Sequence, residues 1–398
     1  MPTTLSQYFL KTAIYQGSGS VAMLPDILTS LGAKRAVVFT DKGLVLSGVL
    51  DNVRAMFDLP SRGLACDLAG VFDEVPQDAE MASVNDGACF AREHAADAIV
   101  ALGGGSVLDF AKGVKYLLYK GGNDIREVMP GNMAIVTWPK AEPIPIPHVA
   151  INTTAGTGAE ISPIAVIYNA IDKVKGALIH PFINSDVTIL DPDLTLGMPR
   201  AITAGTAFDA LTHAIEGVAS PGAFGMSDAN GFEAIRTINR WLPVVLKEPG
   251  NVRARNEMLG ASAMAIVSFF YSGMSQIPVH NFAHAFGGKY RVPHGYGNGV
   301  FLAHVMEAMP ELYLPKVKDI ARAFDLDDLK KDPEALLGDV LSRIRQLKSE
   351  AGIPEDLKEY GIPQSALDDM TKAVMMDISG ILFPIPEEII RKVIQRVI

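Results

Sequence analysis

Two hydrophobic rhythms divide the chain. Through the first half, short β-branched runs alternate with stretches whose apolar residues recur at helical spacing. "RAVVFTD" (35–41) predicts a strand ending at Asp41, and "ADAIVALGGGS" (96–106) predicts another that runs into glycines. "IPHVAINTTAGTG" (146–158) and "DVTILDPDL" (186–194) continue the series, with helical segments such as "EMASVNDGACFAREHA" (80–95) between some of them. Strands separated by helices imply a parallel sheet covered on both faces. After about Leu194 the strand signals stop, and from "AITAGTAFDALTHAIEG" to the final "PEEIIRKVIQRVI" the pattern is helical. Pro and Gly punctuate the change at "PDLTLGMP". The expectation is an α/β domain with a parallel sheet over 1–195 and an all-α domain over 196–398. No internal repeat or low-complexity tract interrupts either half. The Pro-dense "PKAEPIPIPH" (139–148) reads as a loop leading into a strand.

Composition narrows the partners more than the fold. The 398 residues, 48% hydrophobic and 20% charged, suit an ordinary globular protein with a large core. A net charge of −10 and a pI near 5.3 argue against a nucleic-acid partner, since such proteins present basic faces. The start, "MPTTLSQYFLKTAIYQ", lacks the basic region and unbroken apolar core of a signal peptide, so export is not expected. The most apolar stretch, "ASAMAIVSFFYSGM", is shorter than the roughly 18 residues of a membrane span and predicts a buried helix. Two cysteines, Cys66 and Cys89, imply no disulfide framework and fit a reducing, cytoplasmic compartment. Both are expected to be buried small hydrophobes rather than nucleophiles.

Two loops carry phosphate-binding chemistry. Gly103, Gly104, Gly105 and Ser106 fall between a strand and a helix, where a side-chain-free backbone can approach a ligand and the helix N-terminus offers N–H groups and a positive dipole end. "NTTAGTGAE" adds the hydroxyls of Thr153, Thr154 and Thr157 after another strand. Two such loops at strand C-termini are where open α/β sheets hold nucleotides. The acidic candidate for a ribose, Asp41, precedes the glycines instead of following them, and by itself reads as a strand-end turn or helix cap.

Histidines supply the second constellation. His280 and His284 stand four apart in a helical segment, Asp209 and His213 share that spacing on another helix, and His294 follows in a Pro/Gly loop. One carboxylate and up to four imidazoles make a divalent metal site with an open position. Spacing does not decide which of His280 and His284 would ligate. The zinc-protease pattern fails, because Asn281 follows His280 where that chemistry needs glutamate.

Taken in order, "GGGSVLDFAK", "NTTAGTGAE", "DVTILDPDL", "DALTHAIEG" and "HNFAHAFGGKYRVPHG" resemble the iron-containing (group III) alcohol dehydrogenases, a family that includes lactaldehyde reductases and propanediol dehydrogenases. The resemblance spans nearly the whole chain. It implies an N-terminal nucleotide-binding domain, a helical metal-binding domain and a cleft between them, in a homo-oligomer such as a dimer. It assigns the metal, Fe²⁺ or Zn²⁺, to Asp209, His213, His280 and His294, and leaves His284 to proton transfer or positioning. It places Gly103 to Ser106 on the cofactor pyrophosphate, adds Asp109, Thr153, Thr154 and Thr157 as cofactor contacts, gives Asp41 the adenosine ribose and puts Lys175 on the nicotinamide side. A carboxylate at Asp41 would accept the 2′-OH of NAD and repel the 2′-phosphate of NADP.

The implied activity is reversible hydride transfer between NAD(H) and a small primary alcohol or aldehyde. A hydroxyacid–oxoacid transhydrogenase of the same family, a metal-dependent hydrolase and a catalytically silent interaction protein are the alternatives. Departures from the family pattern gather where substrate or nicotinamide is expected. "SQIPVH" replaces a glycine-rich apolar turn, Asp78 in "VPQDAEM" stands where asparagine is common, and "LFPI" stands near the C-terminus. Gln276, taken at helical spacing from His280, and Tyr271 are the substrate-side candidates. With Ser275 beside it, Gln276 points to a polar-substituted substrate.

Overall fold

The computed structural model describes residues 5–59, 65–274, 276–377 and 383–398. These divide into two compact units. One comprises Leu10–Thr154 and Ala159–Gly197; the other comprises Met1–Phe9, Ala155–Gly158 and Met198–Ile398.

In the first unit, six parallel strands form one sheet: β1 (Ala13–Gln16), β2 (Arg35–Phe39), β3 (Asp67–Phe72), β4 (Ala98–Gly103), β6 (His148–Asn152) and β9 (Val187–Leu190). Their order is β1-β9-β6-β4-β2-β3. Alternation along the strands explains how both faces are covered. Val37 and Phe39 of β2 join one apolar cluster with Val84, Phe110 and Val114 of the helices Met81–Glu93 and Gly105–Lys120. Ala36 and Val38 join the opposite cluster with Ile27, Leu28 and Val53 of Leu24–Ser30 and Val49–Phe57. A second sheet, β5 (Met133–Ile135), β8 (Val174–Ile179) and β7 (Ile164–Asn169), pairs β5 parallel to β8 and β7 antiparallel to it.

Four of these nine strands carry the runs expected from the sequence. The others escape for local reasons: all four residues of β1 are exposed, and β3 is only partly buried along its length. The strand order reverses around β2, since β3 lies on one side of it and β4 on the other. Such a reversal is where open sheets leave a crevice at the strand C-termini.

The second unit is helical. Its central element, Arg200–Ala219, is buried on almost every side and packs against Gly225–Lys247, Val252–Tyr271 and His294–Ala308. The expected buried helix "ASAMAIVSFFYSGM" lies mostly within Val252–Tyr271, and among the described residues no helix is long and apolar enough to cross a membrane.

Cys66 is buried, and burial pushes its thiol up to about 11. Cys89 corrects the expectation: it is exposed, because the Met81–Glu93 helix turns Val84, Gly87, Ala88 and Ala91 inward and leaves position 89 facing water. Its Sγ hydrogen-bonds Glu93 Oε1 at 3.3 Å, which raises the thiol pKa and keeps the sulfur protonated.

The Ala155–Gly158 segment is docked tightly on the helical unit. A Cβ at Gly156 would lie 2.7 Å from Thr206 Cβ, and one at Gly158 would collide with Ile266. Gly158 also has φ +60, which strains any L side chain. Gly158→Ala should therefore lose about 2–4 kcal/mol of stability. Gly197→Ala, where a Cβ meets nothing within 4 Å, should change little. Thermal unfolding of the two variants checks the contrast, and equal Tm values would refute it.

Candidate functional site

In the first unit, three neighbouring strands bring the nucleotide-loop residues to one end of the sheet. Asp41 follows β2, Gly104 to Ser106 follow β4, and Thr153 and Thr154 follow β6. The helix Gly105–Lys120 begins without a side-chain cap or an acidic residue in its first turn, so its N-terminal N–H groups remain available to an anion. A Cβ on Gly104 would stand 2.7 Å from Thr154 Cγ2 and 2.9 Å from its Oγ1. The two loops thus close to a spacing that only glycine permits. This cradle of small residues and uncapped N–H groups fits a diphosphate.

Asn152 builds the second loop. Its Oδ1 accepts from Thr154 N–H at 3.0 Å, while its Nδ2 donates to Glu160 Oε2 at 2.9 Å. Asp41 caps the short helix Lys42–Leu46 by accepting from Leu44 N–H at 3.1 Å through Oδ1. Asp109 lies deeper. One oxygen takes Lys112 Nζ at 3.1 Å and the other takes Val166 N–H at 3.0 Å, so the carboxylate ties helix to hairpin. Lys175 Nζ is paired with Asp78 Oδ1 at 2.9 Å. Thr157 belongs with the Ala155–Gly158 segment of the helical unit.

The histidine cluster lies wholly within the helical unit. Asp209, His213 and His280 are all buried, and each offers a donor atom, these lying within 4.8 Å of one another. His294 Nε2 is 3.3 Å from Asp209 Oδ1. Burial pulls the His213 imidazole down to about 4, so it is a neutral nitrogen donor near pH 7. The rings of His213 and His280 stack at 4.6 Å, with Phe269 edge-on to His213 at 4.7 Å as an apolar wall. Three imidazoles around one buried carboxylate could together hold a divalent cation.

Two residues that the sequence reading passed over complete the arrangement. Glu216 hydrogen-bonds His280 Nδ1 and accepts from Val279 N–H at 2.7 Å. It therefore caps the helix Pro278–Tyr290 and leaves His280 Nε2 facing Asp209. Asn298 directs Nδ2 to Asp209 Oδ1 at 2.7 Å and lies 3.3 Å from His294 Nε2. Both carried a signal, since Glu216 stands three residues after His213 and Asn298 four after His294. Asp377, whose Oδ1 is 3.4 Å from His284 Nδ1, lies 93 residues away and carried none.

The substrate-side expectations change. Gln276 lies before the helix, which begins at Pro278 with Ile277 as its N-cap, so helical spacing does not align Gln276 with His280. The Tyr271 hydroxyl donates to the Phe9 carbonyl and its ring lies 4.7 Å from Tyr8, giving it a structural partner. Ser275, and Leu382 of "LFPI", lie outside the described residues.

Residues 11–192 match the iron-containing alcohol dehydrogenase family and residues 203–398 match its C-terminal domain. The chain belongs to the iron-containing alcohol dehydrogenases, an oxidoreductase family. It is 33% identical to the 1,3-propanediol dehydrogenase of Citrobacter freundii, over 95% of this chain and 94% of the relative. A solved 1,3-propanediol oxidoreductase superposes with TM-score 0.87 at 29% identity, covering 98% of this chain and 99% of that one. The sulfoacetaldehyde reductase of Bifidobacterium kashiwanohense, solved in complex with NAD+, superposes with TM-score 0.84 at 25% identity, covering 99% and 98%.

The support beneath Thr154 has a pH signature. Burial pushes the Glu160 carboxyl up to about 7, and its Oε1 has no hydrogen-bond partner among the described residues. A folded pKa above the unfolded value of 4.5 means that this contribution to stability is complete below pH 4.5 and lost as pH rises through about 7. Glu160→Gln keeps an acceptor for Asn152 without the charge. It should gain on the wild type between pH 5 and 8 by on the order of 2 kcal/mol. Tm measured across that range checks this, and a constant gap between the two proteins would contradict it.

Proposed function

We propose that this chain is a metal-dependent, NAD(H)-linked alcohol dehydrogenase that acts as an aldehyde reductase on a small, polar-substituted primary alcohol or aldehyde. The observation that carries the reading is the buried cluster of Asp209, His213 and His280, with His294 Nε2 against the same carboxylate. These four residues would hold Fe²⁺, or Zn²⁺, which a three-nitrogen, one-oxygen set also accepts. Gly103 to Ser106, Thr153, Thr154 and Thr157 would hold the cofactor diphosphate, Asp41 the adenosine ribose, and Lys175 would stand on the nicotinamide side. NAD(H) is supported by the relative solved with NAD+. The polar substrate class is supported by relatives named for 1,3-propanediol and sulfoacetaldehyde. Family resemblance and two unpaired cysteines support a homodimer in a reducing cytoplasm.

When bound, the two cofactors supply Lewis-acid polarisation of a substrate oxygen and a hydride donor or acceptor. The rest falls to the chain. Glu216 orients His280 through Nδ1, and Asn298 holds the Asp209 carboxylate through Oδ1, the oxygen that also faces His294. Phe269 walls the cluster with apolar surface. His284 would pass a proton between substrate and solvent, a role supported by its Nδ1 facing Asp377 and its 19% exposed side chain.

Protein loaded anaerobically with Fe²⁺ should oxidise NADH with hydroxy- or acid-substituted C2 to C4 aldehydes, and His280→Ala or His294→Ala should lose both metal and turnover. His284→Ala should keep its metal and lose turnover. Metal analysis beside NADH assays tests the set. Full occupancy in His280→Ala and His294→Ala would remove those ligands, and loss of metal from His284→Ala would move that residue into the ligand set.

Cofactor choice is tested separately. Asp41→Gly should raise kcat/KM for NADPH relative to NADH by removing charge repulsion with the 2′-phosphate. An unchanged ratio would leave Asp41 as the helix cap alone.

A further inference from the structure

The rim of the cofactor cradle contains a buried ion pair that the proposed chemistry has not used. Lys175 of β8 lies opposite Tyr168 of β7. Tyr168 N–H is shared between the carbonyls of Asp78, at 3.1 Å, and Ala79, at 3.3 Å, so the 78–79 turn is stitched to the hairpin that carries the lysine. Asp78 and Ala79 both lie in the left-handed region, at φ 68 and 50. Two successive L residues rarely adopt that conformation without surrounding bonds to enforce it.

The turn points Asp78 N–H at Ser106 Oγ, 3.0 Å away in the first turn of the diphosphate helix. It also points the Asp78 carboxylate at Lys175 Nζ, 2.9 Å away, the two side chains being 11% and 5% exposed. Asp109, near enough to feel the Lys175 charge, is itself engaged with Lys112 and Val166. Asp78 thus holds the ammonium by its side chain and the cradle serine by its backbone.

We propose that the Asp78–Lys175 pair sets the relative affinity of this chain for oxidised and reduced nicotinamide cofactor, by cancelling a fixed positive charge at the rim of the cradle. The inference rests on the cofactor reading given above. NAD+ and NADH share the adenosine, the diphosphate and both riboses, and differ by one positive charge on the nicotinamide ring. A lone ammonium in a site of reduced dielectric would disfavour the cationic ring and leave the neutral one almost untouched. With the carboxylate in hydrogen-bonding contact the two charges cancel at longer range, and NAD+ loses no affinity to the lysine. Asparagine in place of Asp78 tolerates the left-handed backbone and retains an oxygen acceptor, but leaves the ammonium uncompensated. Methionine in place of Lys175 leaves the carboxylate instead, and the bias reverses.

Calorimetric titration of the full chain with NAD+, NADH and ADP-ribose tests this. Asp78→Asn should raise the ratio Kd(NAD+)/Kd(NADH) on the order of tenfold, and Lys175→Met should lower it by a similar factor. The double variant should return close to the wild-type ratio. ADP-ribose, which lacks the ring, should change far less than NAD+. A purely structural role would weaken every ligand together and could not give opposite signs. Ratios unmoved in both single variants, or moved the same way, would overturn the proposal. Failure of the wild type to bind any of the three ligands would instead overturn the cofactor reading. If Asp78→Asn does not fold, the sign of the Lys175→Met shift decides alone.

Discussion

A carboxyl taken out of water must be hydrogen-bonded where it goes, and the Arg200–Ala219 helix carries two, Asp209 and Glu216, to 1% exposure. Both must be satisfied by groups from other helices, and this requirement organises the helical unit. Glu216 is met by the first turn of Pro278–Tyr290, through Val279 N–H and His280. Asp209 is met by the first turns of His294–Ala308, through Asn298 and His294. Apolar packing alone would let these helices slide or rotate, whereas directional contacts to a buried carboxylate set their register. Glycine closes the gap: a Cβ on Gly295 would strike the Gly205 backbone and lie 3.2 Å from Asp209 Cβ.

The same contacts produce the candidate metal centre. A carboxylate buried beside imidazoles is costly without a compensating charge, and a bound cation would lower that cost. Hydrogen bonds limit the freedom of these groups: Glu216 holds His280 through Nδ1, and Asn298 holds the Asp209 oxygen that faces His294. Stabilising the helical unit and presenting its donors are therefore one arrangement seen from two sides.

The α/β unit handles charge differently. Its cradle is made from backbone, with small residues at the ends of β4 and β6, an uncapped helix start behind them and Asp41 after β2. Two carboxylate–ammonium pairs stand in this unit, Asp109 with Lys112 and Asp78 with Lys175. Between Gly104 and Thr154 the loops offer N–H groups and hydroxyls, which suit an anionic ligand.

Periodicity, a local property, carried the fold class. Alternation in the β2, β4, β6 and β9 runs and helical spacing beyond Leu194 identified a parallel sheet followed by helices. Weakly patterned strands such as β1 and β3 did not register, because the code weakens where burial is partial. In the candidate site, residues one helical turn apart were legible as pairs, since a helix repeats its faces every three to four residues. That Asp209, His213 and His280 converge, and that Glu216 and Asn298 hydrogen-bond into them, was decided by helix packing. So were the outward turn of Cys89, the release of Gln276 from the helix by Pro278, and the joining of Asp78 to Lys175 across 97 residues. The sequence by itself determined which residues share a face of one element. Which faces meet depends on distances closed between elements far apart in the chain, and only the tertiary structure decided that.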